Sequence, residues 1–503
     1  MKKMDWMVAA GTVAGLAGVL YSAGCEKTAG DCVLLGSCGE AAGGGTSSSS
    51  AASTTASSTS SSGTGGMDPV ALCDARHYGG ASDEAARSVH VDASANILFA
   101  GEHTGTFTLG TTVTAQGKDL FVAKVSSAWD AQWLKSFPVS YGAIAYDPSG
   151  DVVVAGASGT PVDFGCGIQL NAPDDLYVVK LKAIDGTCMW AKSFSAPGAH
   201  VSLAIDAAGQ IALVGDGGAG FDFHTTDAGP LVITDGSGGG GRDLFTAMLD
   251  SSGNVLFAKA YGGTADDVIN AVAFDDAGGI VIAGAFKSDK FQIGVGGNPL
   301  MHPGGLDEAF VARIKGATAT WILGFPGDGA AQATGVAVVG GVPIVAGHFT
   351  KTMNIGGATP LKATGDDLFV LGITPGGLNT KVAWNQTFLG KGAKTIAGFT
   401  TNGTDALALT GSLSGDVDFG LGVLNADQGV YFAKLASANG KALASHTFGS
   451  KDSLLTAGGV AFDGARIYVA GAFAAPLELG DKMPLQNAGP SGTDLFVARS
   501  CVP

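Results

Sequence analysis

Two pairs of adjacent acidic residues are the first candidates for chemistry in this chain. They are Asp83-Glu84 and Asp266-Asp267. Neighbouring carboxylates can bind a cation or the hydroxyl groups of a sugar, so these four residues are candidate ligand-face residues. The alternative is that they only shape turns, where aspartate is favoured. The chain has no D-x-[DN]-x-[DN]-G calcium-binding loop.

The other residues that could act chemically form no recognisable catalytic pattern. Eight histidines are spread along the chain without H-x-x-x-H or H-E-x-x-H spacing. His103 and His348 follow matching apolar runs, which suggests either a shared site or a shared structural role. There is no G-x-S-x-G motif, and the glycine run at 238–241 is not followed by G-K-[ST]. The sequence therefore predicts no catalytic residue, no metal site and no cofactor.

Composition indicates one type of folded architecture and argues against a nucleic-acid partner. The 503 residues include 81 glycines, and 46% are hydrophobic, enough to bury a large core. The net charge of −16 is unsuited to binding phosphate backbones. Many short apolar strands separated by glycine turns would produce this composition.

A strand-like unit with an acidic start and, in most copies, a basic end recurs seven times. Its spacing averages about 62 residues, which is typical of a repeat architecture. The copies are D-L-F-V-A-K from Asp119, D-L-Y-V-V-K from Asp175, D-L-F-T-A-M from Asp243, E-A-F-V-A-R from Glu308, D-L-F-V-L-G from Asp367, G-V-Y-F-A-K from Gly429 and D-L-F-V-A-R from Asp494.

Three further segments recur with the same period as that unit, so each repeat contains four short strands. An apolar run ending in glycine precedes each copy, as in I-L-F-A-G to Gly101, and an aromatic strand follows most copies, as in W-L-K-S-F to Phe137. These strands are apolar at successive positions, which predicts sheets buried on both faces. Seven four-stranded sheets packed face to face predict an all-β, seven-bladed β-propeller.

The ends of the chain predict how the ring closes. The seventh repeat lacks its aromatic fourth strand, and Cys73 to Gly80 resembles that strand at the other end of the chain. The N-terminal strand is therefore expected to pair with the last one. The predicted propeller spans 67–503, with blades at about 85–137, 141–194, 199–262, 268–325, 332–388, 394–449, and 455–501 plus 71–80.

The repeat resembles the bacterial β-propeller repeat family called SBBP, whose units read roughly as V-A-V-D, Y-V-T-G, D-A-F-V-A-K and Y-L-G-G strands. The resemblance covers about residues 71–501. It implies an extracellular or envelope location and no shared enzymatic activity.

The N-terminal 66 residues predict an export signal followed by a flexible tether. Lys2 and Lys3 precede an apolar run from Met7 to Tyr21, as in a signal peptide over 1–24. Ser22-Ala23-Gly24-Cys25 resembles the lipobox of bacterial lipoproteins, although Ser22 stands where that motif usually has Leu. The resemblance implies lipidation of Cys25 and an N-terminal segment at 25–40. The alternative is an ordinary signal peptide, with Cys25 in a disulfide. Residues 41–66, almost wholly Ser, Thr, Gly and Ala, predict a flexible tether.

If Cys25 carries lipid, six cysteines remain, an even number suited to disulfides in an oxidising compartment. Cys73 and Cys501 flank the two strands that should close the ring, so they form one expected pair. Cys166 and Cys188 flank the third strand of one blade and form a second. Cys32 and Cys38 pair by elimination. Metal binding is the alternative, but no spacing matches a zinc pattern.

The functional prediction is an envelope-anchored, non-enzymatic, monomeric propeller that binds or scaffolds a protein or glycan, with the membrane reached only through the lipid. The alternative is a propeller enzyme, a lyase or hydrolase, whose site is assembled from several blades at the mouth of the channel.

Overall fold

The structure, a computed structural model, describes residues 72–501 except 159–160, 168, 171–174, 197, 219, 224–240, 294–298, 302–304, 317, 358, 450–454, 480–483 and 489–491. These residues belong to the second of two compact units, Gly66–Pro503. The predicted signal peptide, Cys25, Cys32, Cys38 and the tether lie outside the described residues.

Seven four-stranded antiparallel sheets make up the described chain, as predicted. Together they form a seven-bladed β-propeller, in which the first strands of neighbouring blades contact one another. Before the first complete blade comes β1 (Leu72–Tyr78). Blade 1 contains β2 (Glu84–Val91), β3 (Ile97–Leu109), β4 (Thr111–Val125) and β5 (Ala131–Phe137). Blade 2 contains β6 (Ala143–Tyr146), β7 (Val152–Ser158), the small pair β8 (Val162–Asp163) and β9 (Gln169–Leu170), β10 (Asp175–Leu181) and β11 (Cys188–Ser195). Blade 3 contains β12 (His200–Ile205), β13 (Ile211–Gly217), β14 (Asp243–Leu249) and β15 (Val255–Tyr261).

Blades 4 to 7 repeat this plan with small variations. The first strand of blade 6 is divided into two, and a single 3-10 helix, Gly377–Asn379, follows the third strand of blade 5. Blade 4 contains β16 (Asp267–Phe274), β17 (Ile280–Phe286), the small pair β18 (Lys290–Phe291) and β19 (Leu300–Met301), β20 (Glu308–Lys315) and β21 (Thr318–Phe325). Blade 5 contains β22 (Ala331–Val339), β23 (Val342–Met353), β24 (Leu361–Thr374) and β25 (Lys381–Phe388). Blade 6 contains β26 (Gly392–Lys394), β27 (Gly398–Thr401), β28 (Ala406–Asp418), β29 (Val423–Ala436) and β30 (Ala442–Gly449), and blade 7 contains β31 (Leu455–Phe462), β32 (Ile467–Phe473) and β33 (Asp494–Ser500).

The seventh blade is closed by the N-terminal strand, as the sequence predicts. Its strand order is β31-β32-β33-β1, and β1 runs antiparallel to β33 with Ala75 opposite Ala498 and Tyr78 opposite Leu495. The first and last described strands therefore share one sheet.

Successive apolar positions along a strand serve two different cores. In blade 1, Phe99 and Phe121 pack toward blade 7, whereas Leu98 and Leu120 pack toward blade 2. All seven residues of β17 and of β32 are buried. This double burial explains why the sequence shows continuous apolar runs instead of apolar–polar alternation.

The charged residues at the two ends of the repeated third strand make different contacts. At its start, Asp119 accepts hydrogen bonds from the backbone N–H groups of Gln116 and Gly117, and Asp367 accepts one from Gly390. At its end, Lys124 pairs with Asp92 in the first turn of its own blade, with the two side-chain atoms 3.0 Å apart. Lys180 pairs with Asp147 in the same way at 2.6 Å, and Arg313 pairs with Asp275. The acidic start of the motif therefore binds backbone at one end of a blade, and the basic end, in blades 1, 2 and 4, pairs with the first turn at the other.

Tryptophans of two fourth strands link blade 1 to blade 2 and blade 2 to blade 3. Trp133 donates its indole N–H to the carbonyl of Ala183 at 3.1 Å, and Trp190 donates to Ser251 at 3.2 Å. Gly253, in that receiving turn, has a φ of +79°, and a Cβ there would lie 2.9 Å from the Trp190 ring. The turn glycine thus allows the indole to approach, and we call this contact the tryptophan latch.

Where blade 7 meets blade 1, the latch is reversed. Asp74 occupies the strand position that Trp133 holds in blade 1, and Trp129, with a φ of +72°, stands in the turn of blade 1 where the turns of blades 2, 3 and 6 have Gly186, Gly253 and Gly440. The Trp129 indole donates to Asp74 at 2.8 Å, and Arg499 also donates to Asp74, at 2.9 Å. The guanidinium groups of Arg499 and Arg76 lie over the Trp129 ring at 5.2 Å and 5.6 Å.

Two of the expected disulfides are present. Cys73 is bonded to Cys501, and Cys166 to Cys188. The first joins the two strands that close the ring, and its partners are 428 residues apart. The second lies within blade 2.

Candidate functional site

The two ends of the propeller differ in the length of their connections. At one end, the turns between first and second strands and between third and fourth strands contain two to six residues. At the other end, the second and third strands are joined by long connections in every blade. In blades 1, 5 and 6 these are two-stranded hairpins over 104–118, 350–364 and 414–428, and blades 2 and 4 carry the small pairs β8–β9 and β18–β19. We call these long connections ribbons, the end that carries them the ribbon face, and the opposite end the turn face.

A further repeated element, which sequence reasoning missed, anchors the ribbons. Each long connection contains two apolar residues separated by one other residue, and the pair is buried or nearly so. In blade 2, Phe164 lies between Phe137 of blade 1 and Tyr177 of its own blade, with ring centroids 4.9 Å and 5.1 Å apart. The pairs are Phe107/Leu109, Val162/Phe164, Phe221/Phe223, Phe291/Ile293, Met353/Ile355, Val417/Phe419 and Leu477/Leu479.

This element could have been found from its spacing. The second residue of the pair is followed by glycine in most repeats, as in Phe164-Gly165 and Phe419-Gly420, and it recurs with the same period as the third strands. The pattern spans only three positions, so the glycine-rich surroundings hide it. In the hairpins of blades 1, 5 and 6 the pair lies next to the turn, with Leu109 opposite Thr111 and Val417 opposite Leu424, so its burial holds that end of the hairpin against the propeller.

Asp83 and Glu84 lie on the ribbon face and connect blade 1 to blade 7. The Asp83 carboxylate accepts from the backbone N–H of Thr493 at 3.0 Å, and the Glu84 N–H donates to the Thr493 carbonyl at 2.7 Å. The Glu84 side chain is fully buried and accepts from the Gly80 N–H at 3.0 Å. Burial raises the pKa of Glu84 to about 8, because the Gly80 hydrogen bond only partly offsets it and the carboxylates of Asp494 and Asp83 raise it further.

Asp266 and Asp267 repeat this arrangement between blades 3 and 4. Asp266 accepts from the Arg242 N–H at 2.9 Å, and the Asp267 N–H donates to the Arg242 carbonyl at 3.0 Å. The buried Asp267 carboxylate accepts from the hydroxyl of Ser288 at 2.8 Å. Burial raises the pKa of Asp267 to about 6 despite hydrogen bonds from Ser288 and Lys287. The four acids therefore do not meet at one point; each pair joins its own two blades.

The two matched histidines are in different environments. His103 is completely buried, and its Nε2 lies 2.7 Å from the hydroxyl of Ser136. Burial lowers the pKa of His103, with the Asp119 carboxylate acting in the opposite direction. His348 is partly exposed, and its Nδ1 lies 3.0 Å from the carboxylate of Asp366. The structure therefore does not bring them together in a shared site.

The exposed part of the ribbon face combines hydroxyl, aliphatic and acidic groups. On the blade 1 ribbon, the hydroxyls of Thr108 and Thr112 are 3.0 Å apart across the hairpin. At the tip of the blade 6 ribbon, Leu421 and Val423 are 56% and 57% exposed. The exposed acids on this face include Asp163, Asp289, Asp328, Asp427 and Glu478.

Within the residues that the structure describes, no group of three or more His, Cys, Asp or Glu side chains is placed to hold a metal ion. In the same part of the chain, no helix has the length and apolar character needed to span a membrane.

No protein-family model and no curated protein matches this chain. Solved structures with a similar course include the Dos1 propeller, at 10% identity over 85% of this chain and 95% of that one, with a TM-score of 0.39. A protein of unknown function from Dyadobacter fermentans has 10% identity over 87% of this chain and 100% of that one, with a TM-score of 0.38. The quinohemoprotein alcohol dehydrogenase from Comamonas testosteroni has 11% identity over 86% of this chain and 76% of that one, with a TM-score of 0.33. Similarity at this level carries no argument about function.

Proposed function

We propose that this chain is a lipid-anchored, non-enzymatic propeller of the bacterial envelope, of the SBBP repeat type, which binds or scaffolds a protein or glycan through its ribbon face. The observation that carries the proposal is the asymmetry between the two ends. Every long connection lies on the ribbon face, and the blades beneath are fixed by cores on both sides. Loops held on a rigid scaffold are the usual location of binding residues.

The anchored location is supported by chemistry at both ends of the chain. Two disulfides suit an oxidising compartment, and the segment that ends at Cys25 is similar to a lipobox. A propeller at the end of a Ser/Thr/Gly-rich tether can present one face to a partner while its lipid stays in the membrane.

The exposed side chains of the ribbon face suit a partner surface better than a small-molecule cleft. Leu421 and Val423 project from a hairpin tip, where exposed aliphatic side chains are typical of protein contacts. Thr108 and Thr112 offer hydroxyls that can bond to either a peptide or a glycan.

Site-specific photo-crosslinking in the producing cell tests the ribbon face. A photoreactive phenylalanine at Leu421 or Thr112 is expected to capture an envelope component, whereas the same residue at Ser94 or Ser252, in turns on the opposite face, is the matched control. Equal capture from both faces, or capture from the turn face alone, would contradict the proposal.

Metabolic labelling tests the anchor separately. Cells given labelled palmitate are expected to label this protein, and Cys25→Ala should abolish the label and release the protein from the membrane fraction. Labelling that survives Cys25→Ala would exclude the anchor without affecting the assignment of the ribbon face.

A further inference from the structure

The contact between blades 4 and 5 departs from the arrangement at the other described tryptophan contacts. In blade 2, the carbonyl of Ala183 accepts both the Trp133 indole at 3.1 Å and the Lys124 ammonium at 3.2 Å. The residue that corresponds to Ala183 in blade 5 is Pro375, the second residue beyond the matching strand position. It does not accept from Trp321, whose indole nitrogen is buried and has no hydrogen-bond partner.

Blade 5 also has a shorter first turn than the other blades. Its first turn is the two-residue Gly340-Gly341, whereas each of the other six blades has a longer turn headed by Asp or Asn at its first position. Both glycines have positive φ, +55° and +75°, as a two-residue hairpin turn requires.

A cavity on the turn face lies beside this short turn. Its volume is about 460 Å³, within the range of small-molecule sites. Trp321, Pro343 and Pro375 give it apolar walls, and Arg313, Asp275 and Asp276 bring charged groups to it. Trp321 is only 7% exposed, so it is held in place by its surroundings.

The charged side of the cavity is already ordered without a ligand. Asp275 accepts from the Nε of Arg313 and from the backbone N–H groups of Ala277 and Gly279. Arg313 donates its Nη1 to Thr320 at 3.2 Å, and no hydrogen bond among the described residues uses its Nη2. A donor of fixed orientation therefore lies beside apolar walls. Asp276, which is exposed, adds an acceptor at the rim.

We propose that this cavity, defined by Arg313, Trp321, Pro343 and Pro375, binds a single neutral sugar ring. A sugar has an apolar C–H face that can pack on tryptophan and proline, and hydroxyls at its edge that can both accept from Arg313 and donate to Asp276. An anion is disfavoured because Arg313 is neutralised by Asp275 and Asp276 adds negative charge. A purely apolar molecule would leave the charged edge without hydrogen bonds. This site lies on the turn face, so it is independent of the function proposed for the ribbon face.

The test is a titration of the full chain, carrying ¹⁵N-labelled tryptophan, with glucose, galactose, mannose and N-acetylglucosamine. At least one of these sugars is expected to shift the indole resonance of Trp321, which is assigned by its loss in Trp321→Phe. A panel of neutral aromatic molecules of similar size is titrated in parallel. If the aromatics shift that resonance and the sugars do not, the assignment to sugars is wrong.

Ala277→Trp supplies a blocking variant with a matched control. Ala277 is exposed and lines the cavity, and its backbone N–H bonds to Asp275 at 2.8 Å. Ala208 holds the same turn position in blade 3, with its N–H 2.9 Å from Asp206. Ala277→Trp is expected to weaken sugar binding by about tenfold or more, and Ala208→Trp to change it by less than about twofold. Sugar binding that Ala277→Trp leaves unchanged, or no Trp321 shift with any sugar, would overturn the proposal.

Discussion

Single residues in this propeller show how one repeated motif supports different local environments. The acid at the start of a first strand is Asp267 in blade 4, where Ser288 satisfies it, and Glu84 in blade 1, where one carboxylate oxygen has no partner. Burial raises the pKa of both carboxyls, and it raises that of Glu84, to about 8, further than that of Asp267, to about 6.

Glu84→Gln is expected to protect the protein at alkaline pH. The folded-state pKa of Glu84, about 8, lies above its ordinary value of 4.5, so the folded chain favours the protonated form. Glu84 thus lowers stability as pH rises from about 4.5 through about 8. Between pH 5 and pH 9, the Tm of the wild type should fall by roughly 2–5 °C more than that of Glu84→Gln. Calorimetry at both pH values checks this, with exposed Glu478→Gln as the control; equal falls in wild type and Glu84→Gln would contradict it.

Trp129→Phe tests the reversed latch between blades 7 and 1. The change removes the indole N–H that Asp74 accepts at 2.8 Å but keeps an aromatic ring beneath Arg499. We expect the free energy of unfolding in urea to fall by about 1–2 kcal/mol. A double-mutant cycle with Asp74→Ala should show coupling between the two positions. Additive effects of the two changes would mean that the hydrogen bond does not contribute.

At the scale of elements, the closing strand depends on both covalent and polar contacts. Replacing Cys73 and Cys501 by serine should lower the Tm. The disulfide joins residues that are 428 apart, so it removes much conformational entropy from the unfolded chain, and the variant regains that entropy on unfolding. Replacing Cys166 and Cys188, 22 residues apart, is the matched comparison. The chain-entropy model predicts a difference of about 2–3 kcal/mol in unfolding free energy between the two double variants. A larger effect from the blade 2 pair would contradict it.

The elements that could be predicted from the sequence are those whose contacts repeat with the chain. Asp119 and its six counterparts mark the third strands, and the absent fourth strand of blade 7 identifies β1. The reversed latch could not be predicted, because Asp74 and Trp129 each depart from the repeat. The reason for either departure is the hydrogen bond between them, which only the structure reveals. The cavity beside Trp321 could not be predicted either, since it lies between side chains of blade 4 and the shortened first turn of blade 5.

At the scale of the whole molecule, closure makes residues 72–78 essential to a ring whose other strands lie between 84 and 500. A chain without residues 67–80 leaves the edge of β33 unpaired, so we expect it to aggregate or to associate with other copies. Size-exclusion chromatography checks this, and a chain without the predicted tether, 41–66, is the control. A monomeric, cooperatively unfolding product of the first deletion would show that β1 is dispensable.

The position of Cys73 has a mechanical consequence. Any pulling force applied along the chain from the N-terminal side reaches the propeller at Leu72 and Cys73, the beginning of β1. Without a covalent bond, such a load could peel β1 from β33 one residue at a time. Because Cys73 is bonded to Cys501, the load passes directly into the end of β33, which is hydrogen-bonded to β32 within its sheet. The disulfide therefore carries the load in place of the hydrogen bonds between β1 and β33, so the ring can resist tension that is applied through its own first strand.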